Sequence, residues 1–152
     1  MSIRLSLEEA WDELARAHTG IVTSMKADGT PISLPLWFVV IDRRIYFGGP
    51  ARTKKVARLR NNPRCCLLVE SGTYWRELKA VLVTGDAREV TDDATTQRVE
   101  QALHDKYGSY RSQRSSMPNE TRAVYEAPGR VLFELVPDAR VLTWDNSRIP
   151  LS

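Results

Sequence analysis

Asp28-Gly29 stands between two runs rich in strand formers, residues 20–25 and 30–41, and this dipeptide is the strongest short hairpin signal a sequence carries. It turns the chain back on itself, so the first two strands pair antiparallel. Asp42-Arg43 marks a second turn, followed by a third strand over 44–47 that ends in Gly48-Gly49-Pro50. Pro35 removes a backbone donor within the second strand, which makes that strand irregular or an edge there. Further strand patterns cover 64–70, 77–90 and 130–136, with Gly85 marking a bulge or sharp bend in the longest. About six short strands joined by tight turns predict a mainly β chain with flanking helices, closed into a small barrel.

Two helices are legible beside these strands. Ser6 and Glu9 form the S-x-x-E capping box, and Leu7, Trp11 and Leu14 recur at helical spacing, predicting an amphipathic helix over 7–17. Thr91 or Asp92 caps a second helix that runs to Tyr107, with Val99, Leu103 and Tyr107 spaced by four. Residues 108–129 are polar, rich in Ser, Arg and Pro, and too long for a plain connection. They are expected to be a lid or a partly mobile segment, with Arg111 and Arg114 available to contact an anion.

At 152 residues, 1–152 reads as one domain, large enough to bury a core without metal or disulfide support. Charged residues are 27% and hydrophobic ones 42%, which excludes disordered and membrane classes. No apolar run approaches a membrane span, and residues 1–17 are too acidic and interrupted for a signal peptide, so a cytoplasmic location is expected. A net charge of +3 and a pI near 9.0, spread over the chain, favour small anionic ligands over nucleic acid. Cys65 and Cys66 are adjacent in a strand and point to opposite faces, so they serve as small core residues in a reducing compartment rather than as a disulfide. With only His18 and His104 besides, neither a zinc site nor a Ser/His/Asp constellation has support.

The segment 51–64, between two strands, concentrates positive charge where an extended chain becomes a short helix. Free backbone N–H groups, the Thr53 hydroxyl and the Lys54 and Lys55 ammonium groups converge there, the makings of a phosphate grip. The alternatives are a solvated basic helix and, for Thr53, a bare helix cap. Trp37 shares a strand face with Ser33 and Pro35, so it belongs either to the core or to a ligand. Tyr74 and Trp75, ahead of the longest strand, either wall a substrate pocket or simply pack.

Taken in order, the D-G-x-P hairpin, the P-x-W-F strand, T-K-K-x-x-x-L-x-x-x-P-R and E-L-K-A-V-x-V-x-G-D-A resemble the flavin-binding split-barrel family over roughly residues 18–148. That family contains pyridoxamine phosphate oxidases and deazaflavin-dependent relatives. The resemblance implies that Thr53, Lys54 and Lys55, with Arg52 as neighbour, hold a cofactor phosphate. It implies that Leu34, Pro35, Leu36 and Trp37 lie along the flavin ring, and that Lys79 and Ala80 approach it. It also implies a homodimer with a cofactor at the interface, where Trp144 reaches the partner's site.

The ending Trp144-Asp145-Asn146-Ser147-Arg148 resembles relatives that use the deazaflavin coenzyme F420. The oxidases' R-x-x-L-L-K strand is replaced by Leu34-Pro35-Leu36-Trp37, which points away from vitamin B6 oxidation and, by removing one FMN phosphate ligand, toward F420. The acidic tail of F420 would suit Arg52, Arg58, Arg60 and Arg111. The resemblance therefore implies an F420-dependent oxidoreductase acting on a small electron-poor molecule, with no membrane or nucleic-acid partner. No catalytic side chain is needed, because the chemistry belongs to the ring. FMN is the alternative cofactor, and a non-catalytic flavin or haem carrier the alternative class; haem is disfavoured because only His18 and His104 are available as nitrogen ligands.

Overall fold

The computed structural model describes residues 2–152. Helix α1 (Leu7–Arg16) begins at Ser6, whose hydroxyl accepts the Glu9 N–H at 3.2 Å while the Glu9 carboxylate accepts the Ser6 N–H at 2.7 Å, completing the expected capping box. Strand β1 (Gly20–Met25) then pairs antiparallel with β2 (Pro31–Leu36), from Gly20 opposite Leu36 to Met25 opposite Pro31. The single strand expected over 30–41 is in fact two. Trp37 breaks the ladder, and β3 (Phe38–Ile41) pairs instead with β4 (Arg44–Pro50) across a turn in which Asp42 and Arg43 both have positive φ, 51° and 57°.

The remaining elements are α2 (Lys54–Asn61), β5 (Arg64–Ser71), β6 (Lys79–Glu89), α3 (Asp93–Tyr107), α4 (Asn119–Glu126), β7 (Arg130–Pro137) and β8 (Leu142–Asp145). The eight strands run β2-β1-β5-β6-β7-β4-β3, with β8 beside β6. Because β2 and β3 stand at opposite ends of this path yet are joined by one residue, the sheet must curl until its two ends meet at Trp37. The result is a split barrel. The count exceeds the expected six because β2 and β3 read as one run, and because β8 is only four residues long and is held by its pairing with Lys79 to Leu82 of β6.

One edge of β6 thus serves two partners: β8 along its first half and β7 from Gly85 onward. The strand continues through Gly85, where a Cβ atom would meet the Val136 carbonyl oxygen at 1.9 Å. Close backbone approach is what requires glycine there.

Alternation along the strands sorts two cores. Phe38, Ile45, Phe47, Val131, Phe133 and Leu135 point into the barrel with Val56 and Leu59 of α2, whereas Val39, Tyr46 and Leu132 point outward onto Val99, Leu103 and Tyr107 of α3. Asp92, not Thr91, caps α3, accepting the Thr95 N–H at 2.8 Å. Cys65 is buried in the barrel core and Cys66 half-buried, both as free thiols. No helix among the described residues is long and apolar enough to cross a membrane.

Candidate functional site

The end of β4 narrows to Gly48-Gly49-Pro50 and leads directly into α2. Thr53 is the N-cap residue of α2, but its hydroxyl donates to the Pro50 carbonyl at 3.0 Å and makes no bond to the helix. The N–H groups of the first turn are therefore left open, and no acidic side chain stands among them. Lys55 folds back over this corner and donates to the Gly48 carbonyl at 2.9 Å. A Cβ atom at Gly49 would lie 3.1 Å from the Lys55 ammonium nitrogen, so a bare backbone gives that ammonium its position.

A cavity of about 690 Å³ opens on this corner. Leu34, Pro35, Leu36 and Trp37 form one wall, Gly48, Gly49 and Pro50 the base, and Thr53, Lys54, Lys55 and Arg58 the basic end. Arg111, Tyr125 and Arg130 line it as well, with Ile32 and Leu103, and no aspartate or glutamate does among the described residues. Burial, then the charges of Arg130 and Arg58, pushes the Lys55 ammonium below its ordinary pKa. Arg58 is held at the rim by Ser24, a residue only 1% exposed, whose hydroxyl accepts the guanidinium Nε–H at 2.9 Å.

Trp37 is fixed from behind. Its indole stacks on Tyr107 at 4.5 Å with the planes 5° apart, and the Arg111 guanidinium lies 5.8 Å from its ring centre. The Tyr107 hydroxyl accepts the Phe38 N–H at 3.0 Å and faces the carbonyl oxygens of Phe38 at 2.7 Å and His18 at 2.8 Å. Lys106 donates to the same Phe38 carbonyl at 3.0 Å and sits 4.4 Å from the Phe38 ring centre; burial lowers its pKa to about 8. Trp37 is thus both a support of α3 and a wall of the cavity.

Not every expected residue comes to this place. Thr53, Lys54, Lys55 and the four residues Leu34, Pro35, Leu36 and Trp37 converge, whereas Arg52 does not line the cavity. Arg60 points elsewhere and pairs with Glu89. Lys79 lines a separate pocket of about 240 Å³ with Glu13 and Glu70, its ammonium 3.3 Å from Glu13 and 3.8 Å from Asp145, and Ala80 lines the same pocket. Trp144 lies opposite Ala80 on β8, outside the 690 Å³ cavity. Tyr74 and Trp75 are exposed and away from it.

Several lining residues carried no sequence signal. Arg130 reads only as the first residue of a strand, and it reaches the site because the sheet register sets it opposite Pro50. Tyr125 comes from α4, a helix inside the segment expected to be a lid or partly mobile; two short 3₁₀ turns, Gly108–Tyr110 and Arg114–Ser116, precede it.

Comparison with solved structures places the fold among known proteins. The chain is similar to the conserved hypothetical protein Rv2991 from Mycobacterium tuberculosis, at 25% identity and a TM-score of 0.79, covering 99% of this chain and 92% of that one. It resembles the FAD binding protein from Mycobacterium smegmatis at 23% identity and a TM-score of 0.64, covering 91% and 94%. It also resembles HutZ, the heme storage protein from Vibrio cholerae, at 14% identity and a TM-score of 0.71, covering 97% and 100%. No curated protein matches at a significant level. The family model described as pyridoxamine 5'-phosphate oxidase matches residues 7–140, nearly the whole barrel with its flanking helices, and the chain belongs to that family of split-barrel proteins.

Proposed function

We propose that the 690 Å³ cavity holds the coenzyme F420 and that the protein is an oxidoreductase reducing a small electron-poor organic molecule. The observation that carries this reading is the Lys55 corner: a cation held below its ordinary pKa by burial and by two arginines, beside open helix N–H groups and with no carboxylate lining the cavity among the described residues. Such a corner is cationic and rich in donors. A phosphate there would balance the Lys55 charge and accept charge-assisted bonds from Lys54, Lys55 and the α2 backbone.

The rest of the cavity fits a planar ring. Leu34, Pro35, Leu36 and Trp37 offer an apolar wall, and the volume falls within the range of roughly 300–1,000 Å³ common for small-molecule sites. When bound, reduced F420 supplies a hydride from its deazaflavin ring. The chain's own part is to orient the ring on Trp37, hold the phosphate at α2 and keep water from the apolar wall.

Arg58 and Arg111 extend positive charge away from the Lys55 corner and suit an acidic tail, which F420 has and FMN lacks. FMN would use the same grip and is the second reading. The haem-carrier reading is weakened by the histidines, since neither His18 nor His104 lines the cavity. Lys79 and Trp144, outside this cavity, are proposed to act across the interface of a homodimer.

The test is equilibrium binding of cofactor-stripped protein to F420 and to FMN in parallel, read by quenching of its four tryptophans. The proposal expects micromolar or tighter binding with F420 preferred. Preference for FMN would transfer the function to the second reading, and binding of neither would remove both.

A further inference from the structure

A second chamber of about 520 Å³ adjoins the cofactor cavity, and Trp37, Pro50, Arg111, Tyr125 and Arg130 line both. Its other walls come from the 108–129 segment: Tyr110, Ser112, Arg114, Met117, Ala127 and Gly129. We propose that this chamber binds the acceptor molecule, and that the acceptor is a flat, unsaturated ring compound bearing a carboxylate. The assignment of the ligand as acceptor rests on the cofactor reading above; the chemistry of the chamber stands apart from it.

Charge decides the carboxylate. Three arginines line the chamber and no aspartate or glutamate does, among the described residues. Arg130 is already paired, its Nε 3.0 Å from Glu100, but Arg111 and Arg114 have no carboxylate partner among the described residues. Arg111 stands on the boundary with the cofactor cavity and serves the proposed cofactor, which leaves the Arg114 guanidinium to this chamber, and its planar donor set matches the two oxygens of a carboxylate.

Aromatic lining decides the ring. Tyr110 is 62% exposed and Tyr125 52% exposed, large side chains left open in a concave place. Met117 and Ala127 add apolar surface, and Trp37 forms the boundary with the cofactor cavity. A planar guest can lie between these rings while its carboxylate meets Arg114, which lines this chamber and not the cofactor cavity. Its far edge then faces Trp37, the wall shared with the proposed cofactor, which is where an acceptor must be.

The test uses 2-naphthoate as probe, with 2-naphthalenemethanol as its uncharged counterpart, titrated by calorimetry into the full-length protein alone and saturated with F420 or FMN. The variant is Arg114→Ala, an exposed residue outside the cofactor cavity. The proposal expects naphthoate to bind, the alcohol to bind at least about tenfold more weakly, and Arg114→Ala to lose about tenfold in naphthoate affinity with cofactor affinity unchanged. Equal binding of acid and alcohol, an unchanged affinity in the variant, or displacement of naphthoate by cofactor would each overturn it. If neither cofactor binds yet naphthoate does so through Arg114, the chamber stands and the cofactor reading falls. If a cofactor binds and naphthoate does not, the chamber proposal falls alone.

Discussion

The indole of Trp37 lies flat on the phenol of Tyr107, with ring centres 4.5 Å apart and planes 5° from parallel. Trp37 is also the single residue that joins the two ends of the curled sheet, so the last residue of α3 braces both the closure of the barrel and the wall of the cavity. Fold and site meet in this pair.

Tyr107→Phe keeps the stack and removes the hydroxyl that accepts the buried Phe38 N–H at 3.0 Å. Leaving that donor unpaired costs about 1–3 kcal/mol. Urea denaturation should show a lowered midpoint with unchanged slope; a stability equal to that of the parent protein would contradict the role given to this hydroxyl.

Lys106 predicts a pH dependence. Burial lowers its pKa from 10.5 to about 8, so between these values the unfolded chain holds a proton that the folded one has released. Folding is therefore penalised below about pH 8, and the penalty fades as the pH rises to 10.5. Lys106→Met lacks this dependence. The stability difference between parent and variant should shift in the parent's favour across that interval, and a difference constant with pH would contradict the burial of this ammonium.

At Gly85 the expected effect is large. A methyl group there would stand 1.9 Å from the Val136 carbonyl oxygen, and backbone rather than a flexible side chain must yield. Gly85→Ala should cost about 3 kcal/mol in denaturation experiments. A neutral substitution would show that β6 and β7 separate more easily than their register implies.

How much was legible depended on whether a signal was local. The Ser6 capping box, the Asp28-Gly29 and Asp42-Arg43 turns and the basic start of α2 each form within a few residues, and each is where the sequence puts it. The break at Trp37 was hidden, because residues 30–41 look like one run and only the competing partners β1 and β4 divide it. β8 was hidden for the same reason, being a strand only by virtue of β6. In the site, Thr53, Lys54 and Lys55 are contiguous and were visible, whereas Arg130 and Tyr125 arrive from the far end of the chain through sheet register and the placement of α4. Lys79 and Trp144 followed from resemblance alone, and both lie outside the cavity.

The most direct test of the central claim is the cofactor affinity of Lys55→Ala beside the parent protein, with far-UV circular dichroism to verify that both are folded. The phosphate grip predicts loss of about tenfold or more in affinity for F420, and a similar loss for FMN, because both would place a phosphate at this ammonium. Unchanged affinity in a folded variant would mean that the anion lies elsewhere and would contradict the assignment of the 690 Å³ cavity.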